Sequence, residues 1–170
     1  MTIKERVAAL PSSLRGRLLR ADDEEYETAR HIWNGMIDRH PDIVIRAAGA
    51  ADVVAAVNFA REENLLLAVR AGGHSAAGNG VSDGGVTLDL SLMKGIRVDP
   101  AHRTVRAEAG VTWAEFDAET QAFGLATTGG VVSTTGIAGL TLGGGIGWLS
   151  RAYGLSADNL LSVDIVTADG

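Results

Sequence analysis

The sequence predicts an α+β fold in which small β-sheets are flanked by helices. Three observations predict it. Short β-branched or apolar runs at 42–48, 65–70 and 85–90 have the length and composition of strands. The stretch between the first two carries helical periodicity. The 22 glycines gather in two loops, "GGHSAAGNGVSDGG" and "GGVVSTTGIAGLTLGGGIG", instead of spreading along the 170 residues.

Taken in order, residues 1–37 read as one or two short helices, and Pro41 marks the change to strand. "DIVIRAA" (42–48) is the first strand. "AADVVAAVNFAREENL" (50–65) is a helix with Val53, Val57 and Ala60 on one face and Asp52 near its positive end. "LLLAVR" (65–70) and "GVTLDL" (85–90) are strands. "GIRVDPAHRTVRAEAG" (95–110) is a hairpin turning at Asp99-Pro100. "VTWAEFDAETQAFG" (111–124) is the clearest helix. Thr112 and Glu115 have capping-box spacing, Val111 and Phe116 can form a hydrophobic staple, Phe123 follows on the Phe116 face, and Gly124 stops it. A short helix follows around Trp148–Tyr153. "LLSVDIVTADG" (160–170) alternates and reads as a last strand.

Apolar residues make up 46% of the chain and charged residues 21%, which is the composition of a globular domain. A net charge of −6 with no basic stripe argues against nucleic acid as a partner. The acidic run at 21–27 reads as a solvated helix face or the first turn of a helix. With no cysteine, the chain has no disulfide, thiolate metal site or cysteine nucleophile, and no metal is expected. The N-terminus lacks the apolar core of a signal peptide and no segment reads as a membrane span, so the expected location is cytoplasmic.

The glycine loops match neither a Walker loop nor a dinucleotide fingerprint, because the lysine of the one and the third glycine of the other are missing. What remains is backbone able to hold a phosphate-bearing ligand. Successive amides at Ala71, Gly72, Gly73, His74 and Ser75 can form an anion nest, and Thr134 and Thr135 can add hydroxyls. The plainer reading, that the glycines only turn tight corners, stays open on residues alone.

"VRAGGHSAAGNGVSDGGVTLDLSLMKGIRVDPAHRTVRAEAGVTW" followed by "TTGIAGLTLGGGIGWLSRAYGLSADNLLSVDIVTADG" resembles the FAD-binding PCMH-type domain of the vanillyl-alcohol-oxidase superfamily. The nearest branch is that of the bacterial berberine-bridge-enzyme-like FAD-linked oxidases. The resemblance spans residues 38–170, after an N-terminal helical segment 1–37.

The resemblance implies an FAD-dependent oxidoreductase. A substrate such as an alcohol, sugar or secondary metabolite passes a hydride to the flavin, and dioxygen reoxidises it. It implies that the loop from Arg70 through Ser75 wraps the FAD diphosphate and that His74 bonds covalently to the flavin. Asn79 and Gly80 would approach the ring, and Thr134, Thr135, Gly136, Gly139, Leu140, Gly143, Gly144, Gly145 and Gly147 would line the cofactor. Asn159 either contacts the cofactor or holds its own loop. Many relatives carry a second, cysteinyl flavin bond; here only the bond through His74 is available. His31, His40 and His102 read as surface residues. Relatives continue into further FAD-domain strands and a substrate domain carrying the usual tyrosine base. This chain would then be the front of such an enzyme, incomplete at the C-terminus, with no catalytic acid or base assigned to it. A non-catalytic FAD-binding module and an inactive structural fragment are the alternatives.

Overall fold

A computed structural model describes residues 6, 7, 10 and 14–170. Its centre is a four-stranded mixed sheet in the order β1-β2-β4-β3, formed by β1 (Arg17–Leu19), β2 (Ile43–Arg46), β4 (Val86–Asp89) and β3 (Leu67–Arg70). β2 and β3 both run parallel to β4, while β1 pairs antiparallel with β2. The period-two alternation of "IVIR" sends Ile43 and Ile45 to one face and Val44 to the other.

Helix α2 (Ala50–Glu62) covers the first face, where Ala56, Phe59 and Ala60 meet Ile43, Ile45, Val86 and Leu88. The buried stripe therefore runs through Ala56 and Phe59. Val53 packs at its margin and the expected Val57 lies off it, half-buried. Asn64, in the left-handed conformation at φ 51°, ends the helix short of residue 65. Helix α1 (Tyr26–Arg30) covers the second face, where Tyr26 and Ala29 pack on Leu19 and Val44.

Two expectations are corrected. Residues 1–37 are not wholly helical, because Arg17–Leu19 pair with β2 in register Leu18↔Ile45. The helix expected there is α1; the rest of residues 1–13 lies outside the described residues. What draws 14–19 into the sheet is Asp52. This buried carboxylate accepts hydrogen bonds from the backbone N–H groups of Arg15 (3.0 Å), Gly16 (2.9 Å) and Ala48 (2.8 Å). Residues 160–170 form no strand, since they pair with no described strand. Leu161, Val163 and Ile165 alternate as expected but stand exposed.

The hairpin of β5 (Ile96–Asp99) and β6 (Thr104–Ala107) pairs in register Val98↔Val105. It packs Ile96, Val105 and Ala107 on helix α3 (Trp113–Gln121). The capping box is formed: Glu115 accepts from the Thr112 N–H at 2.8 Å, and Val111 and Phe116 are buried together. Phe123 lies past the end of the helix and is exposed. Two short helices, α4 (Ile137–Leu142) and α5 (Ser150–Tyr153), complete the chain. No described helix is long and apolar enough to cross a membrane.

Candidate cofactor site

β3 and β4 end together at Arg70 and Asp89, and the first glycine loop leaves from that carboxyl edge of the parallel strands. The crevice outside such an edge is where open α/β sheets bind ligands. Among the described residues, the amides of Ala71, Gly72, Gly73, His74 and Ser75 donate to no protein acceptor. Gly73, at φ 70°, lets the loop curl. Five successive free N–H groups make a donor set suited to an anion.

The second loop is pressed directly onto the first. A Cβ on Gly72 would lie 2.6 Å from Gly136 Cα, and a Cβ on Gly136 would lie 2.8 Å from Gly72 Cα. Only two glycines permit this approach. The contact brings Thr134 and Thr135 to His74. The imidazole Nε2 lies 3.0 Å from Thr134 Oγ1, and Nδ1 lies 3.3 Å from Thr135 Oγ1. Trp33 stacks on the ring at 5.5 Å and 20°. Burial holds the His74 pKa below its ordinary value, favouring the neutral ring.

The glycines of the second loop divide into two groups. Gly129 and Gly130 lie against the Trp113 indole, Gly145 against Ser156 and Gly147 against Gly129. These positions serve internal packing, and Leu140 is half-buried in the Trp113 cluster. Gly139 has no neighbour within 4 Å, and Gly143 meets only its own helix turn. Gly144 sits at φ 101°. Gly139 and Gly143 leave bare backbone on the outer side of α4.

The remaining sequence-selected residues lie apart from His74. Arg70 turns its guanidinium to the Ala29 carbonyl, in a cavity of about 160 Å³ shared with Glu25, Arg46 and Asp89. Asn79 borders an open hollow with Arg39, Val81 and Asp83, and its N–H donates to Ser75 Oγ at 3.2 Å. Gly80 sits behind the end of β3, near Val69 and Arg70. Asn159 donates its side-chain amide to the carbonyls of Tyr153 (2.9 Å) and Leu155 (2.8 Å), so it holds its own loop. His31, His40 and His102 are exposed.

Sequence reasoning missed the strap that holds the histidine loop from outside. The Trp33 N–H donates to Gly73 O (3.1 Å), Asn34 Nδ2 to Ala76 O (2.8 Å), and Arg39 Nη1 to Gly78 O (2.7 Å) and Val81 O (3.1 Å). Ile37 packs on Gly78. No local motif announces these residues; the sole hint is an aromatic and an amide in the segment between α1 and β2. Arg39→Ala removes two charge-assisted bonds to loop carbonyls. Hydrogen exchange at the Gly78 and Val81 amides is expected to quicken about tenfold; unchanged exchange would show that the strap does not order the loop.

The arrangement fits FAD by its own chemistry. Free amides and bare glycine suit a diphosphate, and a neutral nucleophilic imidazole stands beside them. Comparison with known proteins agrees. The FAD binding domain family matches residues 41–170. The (R)-6-hydroxynicotine oxidase of Paenarthrobacter nicotinovorans is 38% identical over 162 residues, covering 95% of this chain and 35% of that protein. An FAD-linked oxidoreductase of Dictyostelium discoideum is 43% identical over 159 residues, covering 93% and 35%. Among solved structures, 6-hydroxy-D-nicotine oxidase from Arthrobacter nicotinovorans superposes with a TM-score of 0.91 at 37% identity, over 95% of this chain and 36% of that one. A variant of Physcomitrella patens BBE-like 1 does so with 0.88 at 31% identity, over 100% and 37%. The chain spans about a third of the length of the curated relatives it matches. The chain belongs to the FAD binding domain family, with the PCMH-type fold.

Proposed function

We propose that this chain is the FAD-binding portion of an FAD-linked oxidase, with the cofactor joined to it by a single bond through His74. The observation that carries the reading is the His74 imidazole. It is neutral, half-buried and clasped by Trp33, Thr134 and Thr135 at the end of five free amides. When bound, FAD supplies a two-electron acceptor for a hydride from a small molecule, with dioxygen as the final acceptor. An alcohol, a sugar or a secondary metabolite is the proposed substrate class; the relative named for 6-hydroxynicotine is in keeping with the last.

The chain's own residues bind and orient. The amides from Ala71 to Ser75 hold the diphosphate, and the Gly139 and Gly143 backbone admits close approach. Thr134 and Thr135 set the plane of the His74 ring. The Tyr26 hydroxyl is buried and donates to Pro41 O at 2.6 Å, which removes it as a base.

Incubation with FAD in air, full denaturation and intact-mass measurement test the reading. A gain of one FAD is expected in the native sequence and none in His74→Ala. No gain in a soluble, folded chain would refute attachment. The rate of gain also has a predicted pH profile. The His74 pKa is lowered by burial from its ordinary 6.5, so the nucleophilic neutral ring persists to lower pH. The rate therefore holds further into acid than that of a free imidazole and falls only as pH drops through the depressed folded value.

A further inference from the structure

We propose that the Asn79–Gly80 bond is a site of spontaneous chemical modification. Asn79 cyclises onto the amide of its neighbour and becomes aspartate or isoaspartate, and the change loosens the hold of Arg39 on the loop. An asparagine or aspartate before glycine is where such a cyclisation meets least obstruction, because glycine has no Cβ to crowd the attacking nitrogen. Four such pairs occur in the chain: Asn34–Gly35, Asn79–Gly80, Asp83–Gly84 and Asp169–Gly170.

The structure holds three of them. Asn34 donates through Nδ2 to Ala76 O (2.8 Å) and accepts through Oδ1 from the Met36 N–H (3.1 Å), so its carboxamide is tied at both ends. Asp83 accepts through Oδ1 from the His40 N–H (3.1 Å), while the Gly84 N–H donates to His40 O (2.8 Å). Asp169 accepts from the Thr167 hydroxyl, and the Gly170 N–H donates to Thr167 O (2.9 Å). Asn79 differs. It is exposed at the rim of the open hollow that it shares with Arg39. Among the described residues, neither its carboxamide nor the N–H of the buried Gly80 has a hydrogen-bond partner. The backbone there is not crowded: a Cβ on Gly80 would find its nearest atom, Val69 O, at 3.9 Å.

The step balances without an oxidant. The Gly80 nitrogen bonds to Asn79 Cγ, the Cγ–Nδ2 bond breaks, and the amide proton leaves with the side-chain nitrogen as ammonia. One water then opens the ring. Opening at Cγ gives aspartate, and opening at the backbone carbonyl gives isoaspartate.

Either product matters to this loop for a geometric reason. Residues 78–81 form a turn closed by the Val81 N–H on Gly78 O (3.3 Å). Arg39 Nη1 grips the carbonyls at both ends of that turn, Gly78 O at 2.7 Å and Val81 O at 3.1 Å. Isoaspartate adds a carbon to the backbone inside the gripped span. Aspartate sets a carboxylate in the same hollow as Arg39, where it competes with the carbonyls for the guanidinium.

The test ages the chain in mildly alkaline buffer, native and in urea, and maps the products by peptide mass spectrometry. In urea Asn34 and Asn79 are expected to convert at similar rates, since each precedes a glycine. In the native chain Asn79 is expected to convert at least about tenfold faster than Asn34, because two hydrogen bonds restrain the slower side chain. Gly80→Ala, which its surroundings admit, is expected to slow Asn79. Hydrogen exchange at the Val81 amide is expected to quicken in the converted chain. Equal native rates, an Asn79 that stays intact in the native chain, or a ratio that persists in urea each overturn the site. Conversion with unchanged exchange at Val81 overturns its effect on the Arg39 hold.

Discussion

Gly72→Ala is expected to lower stability by about 3 kcal/mol, the upper range for forcing volume into a packed site, and to abolish covalent loading. The added carbon would sit 2.6 Å from Gly136 Cα and closer still to its nitrogen, a separation real Cβ atoms do not show. No flexible side chain can yield, because both partners are backbone. The second loop must move, and it is tied to helix α3. Gly136 bridges to Thr112, the Ile137 N–H donates to Val111 O at 2.9 Å, and the Trp113 N–H donates to Thr135 O at 3.0 Å. Displacement would therefore loosen the start of the helix and draw Thr134 and Thr135 away from His74. Urea unfolding and intact mass after FAD incubation check the two effects. Gly139→Ala is the comparator. Its Cβ meets nothing, and alanine favours helix, so the unfolding midpoint should hold or rise. Equal damage from both changes would show that glycine content, and not the loop contact, is what matters.

Asp52→Ala is expected to cost about 3–5 kcal/mol, because three backbone donors lose one buried charged acceptor at once. Those donors come from two segments, Arg15 and Gly16 from the strand entry and Ala48 from the turn before α2. Alanine leaves each N–H without its partner, and at this buried position water cannot replace it cheaply. β1 should detach first, exposing Leu19 and Val44, which pack with α1. Asp52→Asn keeps one oxygen but turns an N–H₂ toward donors, so it should fall between. Chemical denaturation measures the loss; a change below about 1 kcal/mol would mean that strand pairing alone holds the N-terminal segment.

Much of the fold is legible residue by residue. Strands β2, β3 and β4, the hairpin, α2 and α3 each follow from local signals: β-branched runs, 3.6-residue spacing, a Thr112–Glu115 box, a stop at Gly124. The last segment shows where local signals end. Leu161, Val163 and Ile165 alternate as a strand should, yet a strand is a pairing between segments, and no described segment pairs with this one. The same holds for Arg17–Leu19, whose strand character comes from Ile45 opposite Leu18 and from Asp52 beyond the sheet.

The site divides in the same way. The order of residues by itself determined that two glycine loops exist, that one carries a histidine just after a strand, and that these 170 residues hold no cysteine. Only the tertiary structure decided that Gly72 and Gly136 serve each other's backbone, that Trp33, Thr134 and Thr135 enclose one imidazole, and that Arg39 straps the loop. The reason is range. Helix spacing, strand alternation and capping act within a few residues and are written in neighbouring letters. The contact of Gly72 with Gly136 and the hydrogen bonds of His74 to Thr134 and Thr135 join loops some sixty residues apart. They exist only once the sheet and α3 have brought those loops together.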